Sequence, residues 1–111
     1  DFSSLKLTLS GGMALTKAVA ERWRAVTGCE VSEGYGLTET SPVVSSNPGG
    51  RMIIGTIGIP VPHTQVKIVD DEGRVLAVEE SGELCVRGPQ VMLGYWQRPD
   101  ETAKVMDGDG W

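Results

Sequence analysis

Near the start of the chain Leu5, Leu7 and Leu9 alternate with Lys6 and Thr8, a period of two that predicts a β-strand running into the paired glycine of "SGG". The period then changes. Leu15, Ala18, Val19, Trp23 and Val26 recur at helical spacing on one face, Thr16 is placed to cap the helix, and Gly28 stands where a left-handed residue is wanted past its last turn. "CEVSE" reads as a short second strand that delivers the chain to "GYGLTETSP", residues 34–42. Strand, glycine turn, helix and strand form a βαβ unit of an open α/β sheet, in which ligands gather at the carboxyl ends of the strands. "SGG" and "GYGLTE" are both expected to leave such ends, which allows them to face one crevice.

The texture shifts after Pro42. "SSNPGGR" reads as loop, and Gly58, Pro60 and Pro62 keep the next stretch from being a long regular element. "TQVKIVD", "RVLAV" and "ELCVRG" read as short strands turned at "DDEG" and "EESG", as antiparallel hairpins or part of a small distorted barrel. Pro99 suits the first turn of a short helix over "PDETAKVM". The expected fold class is therefore α/β, with residues 1–45 ending an open-sheet subdomain and 46–111 forming a β-rich one with a short C-terminal helix.

Composition narrows the function classes. The chain has 111 residues, 40% of them apolar, and 15 glycines, which is globular but rich in turns and close backbone approaches. Its net charge is -5 and no cationic run is longer than the alternating "ERWR", which argues against nucleic acid as a partner. Cys29 and Cys85 have no CxxC spacing and no neighbouring histidine, so reduced, cytosolic thiols are expected rather than a disulfide framework or a zinc site. "MIIGTIGIPVPHTQV", among the longest uncharged stretches, is too broken by glycine and proline to span a bilayer as a helix. The start at Asp1 and the end straight after the turn "DGDG" suggest an internal segment of a longer protein.

The densest chemistry lies in "GYGLTETSP". Glycines on either side of Tyr35 let a flat ligand reach the main chain and lie against the phenol ring, which suits a purine. Thr38 offers a hydroxyl and an N–H to a phosphate oxygen, and Glu39 beside it can hold the Mg²⁺ that accompanies a nucleoside triphosphate. The same residues equally describe a glycine-rich turn with a buried tyrosine and a solvated glutamate, and residue types leave both readings open. "SGGMALTK" is not a Walker loop, because Lys17 follows Thr16 and precedes Ala18; Gly11 and Gly12 rather permit close approach of a ligand or a neighbouring strand. His63, the only histidine, has no nucleophile at a recognisable spacing and reads as a surface residue. Trp96 reads as a packing residue.

Taken in order, "SGGMAL", "GYGLTETSP", "GELCVRGPQVMLGYWQRPDET" and "DGDGW" resemble the central part of the adenylate-forming, or acyl-activating, ligases. The third of these, with "GIPVPHTQVKIVDDEG", is most similar to the bacterial long-chain fatty acyl-CoA synthetases. That resemblance implies an enzyme that adenylates a fatty acid with ATP, assisted by Mg²⁺, and then passes the acyl group to coenzyme A. It implies an adenine pocket from Gly34, Tyr35 and Gly36, an α-phosphate contact from Thr38 and a metal carboxylate from Glu39, with Thr38 and Glu39 as the catalytic pair. Gly11, Gly12 and Met13 would form the opposite wall between adenine and acyl chain, and Val43 would lie near the acyl tunnel. The phosphate loop, the ribose carboxylate, the hinge and the catalytic lysine would lie outside residues 1–111, so the isolated chain is expected to be inactive.

Met13 and Ala14 stand where many members have Ala-Pro, which leaves acyl against aryl preference open. An aryl-CoA ligase, a luciferase-like enzyme, a peptide-synthetase adenylation domain and a non-catalytic nucleotide-binding module are the alternatives. A cytoplasmic protein is implied, with peripheral association at the inner face of the cell membrane as a further expectation. Unpaired strand edges would let the isolated chain self-associate.

Overall fold

The computed structural model describes residues 1–49 and 51–111. Its elements are β1 (Thr8–Ser10), α1 (Lys17–Thr27), β2 (Val31–Gly36), a 3-10 turn (Thr38–Thr40), β3 (Val43–Ser46), β4 (Ile59–Pro60), β5 (Gln65–Val69), β6 (Glu83–Arg87) and α2 (Pro99–Val105). One mixed sheet has the order β1-β2-β3-β4, and β5 and β6 form a second. The fold is α/β, as the alternation of periods predicts.

The βαβ unit is present: β1 and β2 pair in parallel, Thr8 opposite Val31 and Ser10 opposite Glu33, with α1 as the crossover. Both predicted helix ends hold. Thr16 keeps an extended backbone while its hydroxyl accepts the Val19 N–H at 3.4 Å, and Gly28 adopts φ 71° and sends its N–H back to the Arg24 carbonyl at 2.8 Å. A Thr16→Ala substitution is expected to cost about 1 kcal/mol and Thr16→Ser almost nothing, as read by urea unfolding.

The buried face of α1 is not the expected one. Ala20 is buried and Trp23 and Thr27 are half-buried, whereas Ala18, Val19 and Val26 are exposed. Trp23 sets this rotation. Its indole N–H donates to the Thr8 hydroxyl on β1 at 3.2 Å and its ring packs against Phe2, so the helix turns the line 20-23-27 inward. On β1 the half-buried residues are correspondingly Thr8 and Ser10, while Leu7 and Leu9 are exposed. The strand is also shorter than the leucine alternation suggests, because pairing with β2 begins only at Thr8.

Two further expectations are corrected. β2 does not end at "CEVSE" but continues through Gly34, Tyr35 and Gly36, because β3 pairs with it antiparallel, Gly34 opposite Ser46 and Tyr35 opposite Ser45, with an irregularity before Gly36. The serines assigned to loop are thus strand. Val44 and Ser45 are buried, and the Ser45 hydroxyl is satisfied by the Ile57 carbonyl at 2.8 Å, so this strand combines the packing of one β-branched side chain with the hydrogen bond of Ser45. "RVLAV" makes only an isolated bridge, Val75 to Val69, with a main-chain bond from the Leu76 N–H to the Ile68 carbonyl at 2.9 Å, because the chain then turns away at Ala77, whose N–H is taken by the Glu80 carboxylate at 2.7 Å. The hairpin of β5 and β6, in register from Gln65–Arg87 to Val69–Glu83, is present; of the expected barrel, the described residues show this two-stranded part.

Pro99 opens α2, as expected. His63 lies exposed in a turn at φ 64°. Trp96 is 87% exposed and does not pack, against expectation, because the turn at 94–97 holds it outward, with Gln97 at φ 53°. Among the described residues no helix is long and apolar enough to cross a membrane.

Candidate functional site

The glycine motifs meet where β1 and β2 lie side by side. Ser10 sits opposite Glu33, so the chain leaving β1 passes directly beside Gly34, and a methyl group placed on Gly11 would lie 3.7 Å from the Gly34 carbonyl oxygen. Gly12 takes φ 85°, a conformation open to glycine at no steric cost, and turns the chain outward to Met13, whose side chain is 86% exposed. Gly34 is close-packed as well: a methyl group there would stand 3.2 Å from the Ser45 carbonyl oxygen. At Gly36 a Cβ would overlap the Pro42 carbonyl group outright, so only glycine lets β2 pass this turn. Tyr35 between them is half-buried, and Val43, opposite Gly36, is 41% exposed.

The turn after β2 is tied by Thr40. Its buried hydroxyl accepts the Leu37 N–H at 3.0 Å and lies within 3.0 Å of the carbonyl oxygens of Leu37 and Pro42. Of the two threonines, Thr40 is therefore committed to the backbone, and Thr38 remains exposed at the start of the turn. Glu39 points to the other half of the chain. Its Oε1 accepts a hydrogen bond from the Tyr95 hydroxyl at 2.6 Å, and its carbonyl accepts the Met92 N–H at 2.8 Å. The Tyr95 hydrogen bond, aided by a backbone one, holds the Glu39 carboxyl below the usual carboxylate range. The same bond raises Tyr95, which stays protonated as the donor. Glu39 is thus a fixed anion at neutral pH.

Beside Glu39 opens a cleft of about 540 Å³, lined by Leu37, Tyr95, Met92, Cys85, Met106 and Trp111 among others. It lies on the β6–α2 side, and neither Gly11, Gly34 nor Tyr35 lines it. The structure therefore brings Gly11 to Gly34 and Gly36 to Val43, and joins Glu39 to Tyr95, while Met13 and Thr38 stand in the open. No group of three or more His, Cys, Asp or Glu able to hold a metal occurs among the described residues.

Two participants escape the sequence reading. Tyr95 is separated from Glu39 by 56 positions, and nothing local in "GYW" announces the contact. Glu33 is a carboxylate only 8% exposed, which accepts the Leu15 N–H on Oε1 at 2.9 Å and the Gly55 N–H on Oε2 at 2.8 Å. Its one signal is position: it precedes Gly34 in a strand covered on both sides.

The fold and sequence of the chain are shared with known proteins. The chain belongs to the family of AMP-binding enzymes, whose model matches residues 1–96. It is 55% identical over its whole length to a long-chain-fatty-acid–CoA ligase of Yersinia pestis, of which it covers 20%. Among solved structures it resembles a long-chain-fatty-acid–CoA ligase of Archaeoglobus fulgidus, with TM-score 0.90 and 30% identity over 99% of this chain and 24% of that one. The anthranilate CoA ligase in complex with anthranoyl-AMP gives TM-score 0.88 and 31% identity over 99% of this chain and 24% of that one. The chain thus spans about a fifth of the length of the curated relatives it matches.

Proposed function

We propose that this chain is part of an ATP-dependent, AMP-forming acid–thiol ligase that adenylates a long-chain fatty acid and transfers the acyl group to coenzyme A. The observation that carries the reading is the 55% identity to a long-chain-fatty-acid–CoA ligase across the entire chain. Residues 1–45 would end the nucleotide- and acyl-binding α/β part and 46–111 form a β-rich part; the separate β5–β6 sheet supports a distinct second part, while β4, at Ile59–Pro60, joins the first sheet.

In this reading adenine lies at the end of β2, where Gly34 and Gly36 let the strand pack closely against Ser45 and Pro42, and the half-buried Tyr35 supplies an aromatic face. Gly11, Gly12 and Met13 form the opposing wall, with Val43 toward the acyl chain. The exposed Thr38 hydroxyl is available to an α-phosphate oxygen, the role that Thr40 cannot take while it holds the turn. Glu39 would hold Mg²⁺: a single ionised carboxylate fits an ion that is ordinarily held by one or two carboxylates and by the substrate phosphates. When bound, that ion neutralises phosphate charge. The contribution of the chain is positional and electrostatic, aligning carboxylate and α-phosphorus and placing dipoles where charge develops.

The same proposal holds the protein to be cytoplasmic, with peripheral contact at the inner face of the cell membrane. Self-association of the isolated chain belongs with it, supported by the open edge at β4, where Ile57 and Ile59 are exposed. A second reading, with an aryl acid as substrate, is favoured by the likeness to the anthranilate CoA ligase, although at lower identity.

Pyrophosphate release by the full-length protein, assayed in parallel with long-chain fatty acids, benzoates and amino acids, separates these readings, and dependence on fatty acid is expected. Tyr35→Ala is expected to weaken ATP binding by about 1–3 kcal/mol, and Tyr35→Phe, which keeps the ring, to be nearly silent. Equal losses in the two variants would assign the role to the hydroxyl instead.

A further inference from the structure

Glu33 has no place in the roles above, yet it is the most constrained carboxylate in the site region. It is 8% exposed and no Lys or Arg among the described residues pairs with it, so its charge is met by the amides of Leu15 and Gly55. Both bonds are charge-assisted and both reach far along the chain, across 18 and 22 positions. The backbone of Glu33 is held as well. Its carbonyl accepts the main-chain N–H of Asn47 at 2.9 Å and the side-chain amide of Asn47 at 3.3 Å. Asn47, itself buried, is anchored in turn by the Thr56 carbonyl at 2.8 Å and the Ile53 N–H at 3.2 Å.

The consequence is geometric. Leu15 stands two residues beyond Met13, and Gly34 follows Glu33 directly, so a single carboxylate ties the outgoing Gly11–Met13 segment to the strand that carries Gly34–Gly36. Its second oxygen fixes the loop before β4, which lends its Ile57 carbonyl to Ser45 on β3. We infer that Glu33 is a positioning residue: it fixes how the Gly11–Met13 segment lies against the end of β2 and thereby the fit of the nucleotide on the surface they share, without touching the ligand. This rests on the proposed function for the identity of the ligand.

Glu33→Gln in the full-length protein is the test, since it preserves shape but turns an NH₂ group toward one of the two amides, which cannot accept it. The expected result is an ATP dissociation constant and KM raised about tenfold with kcat changed far less, the pattern of lost uniform binding. Amide hydrogen exchange should accelerate at Leu15 or Gly55. Val69→Ala, in the core of the other sheet, serves as a variant of comparable instability and should leave the ATP dissociation constant unchanged. Wild-type ATP affinity together with unaltered exchange at both amides would overturn the inference, as would a loss of affinity that Val69→Ala reproduces at equal stability. Should Glu33→Gln fail to fold, Glu33→Asp, which keeps the charge and shortens its reach, is judged by the same measurements. A wild-type protein without ATP–pyrophosphate exchange would instead defeat the proposed function, so the two failures are distinct.

Discussion

Glu39→Gln in the full-length protein is expected to slow adenylation by about a hundredfold while leaving fatty acid affinity nearly unchanged. The substitution removes the anion but keeps the shape and an oxygen that can still accept the Tyr95 hydroxyl, so the turn should stay in place. What disappears is the negative charge that the Tyr95 hydrogen bond keeps ionised. That charge matters most where phosphate charge redistributes, which places the loss in the rate rather than in acid binding. Mg²⁺ titrations of pyrophosphate release make the comparison, and the variant should need more metal to reach its lower plateau. An unchanged rate and metal requirement would remove Glu39 from the site.

Gly36→Ala is expected to destabilise the protein by about 3 kcal/mol, more than any other alanine substitution in the glycine motifs. The new methyl group would overlap the Pro42 carbonyl, and this neighbour is backbone, which cannot rotate away. Relief requires β2 to part from the turn at residues 38–42, which would carry Thr38 and Glu39 with it. Gly108→Ala is the matched comparison, since a Cβ there meets nothing within 4 Å, and its change should stay within about 0.5 kcal/mol. Denaturant unfolding decides between them. Similar midpoints for both variants would mean that β2 and the turn are not pressed together as described.

These predictions differ in how far the sequence alone announces them. Caps are local, so Thr16, Gly28 and Pro99 mark their helices correctly, and the β5–β6 hairpin follows from period-two runs. Faces and partners are not local. The rotation of α1 depends on where the Trp23 indole finds the Thr8 hydroxyl, a contact between segments that periodicity cannot see. β3 is hidden for a related reason: Ser45 and Ser46 have loop composition, and only pairing with Gly34 and Tyr35 makes them strand. In turn, that pairing extends β2 through the glycine motif, which reads locally as a turn.

The candidate site shows the same division. Gly11, Gly34, Gly36 and Glu39 can be picked out by residue type, and the parallel pairing of β1 with β2 does place the two glycine motifs side by side. The residues that hold them, Glu33 and Tyr95, are ordinary in composition and acquire meaning only from contacts 18 to 56 positions away. Trp96 shows the converse, since an aromatic expected to pack is exposed.

The most direct test of the central claim is ATP–pyrophosphate exchange by the full-length protein with coenzyme A omitted, which isolates acyl-adenylate formation from thiol transfer. Exchange of labelled pyrophosphate into ATP that requires both a long-chain fatty acid and Mg²⁺, giving way to AMP and acyl-CoA once coenzyme A is added, is the result this account predicts. No exchange with any acid, or nucleotide turnover that yields ADP and phosphate instead, would contradict it.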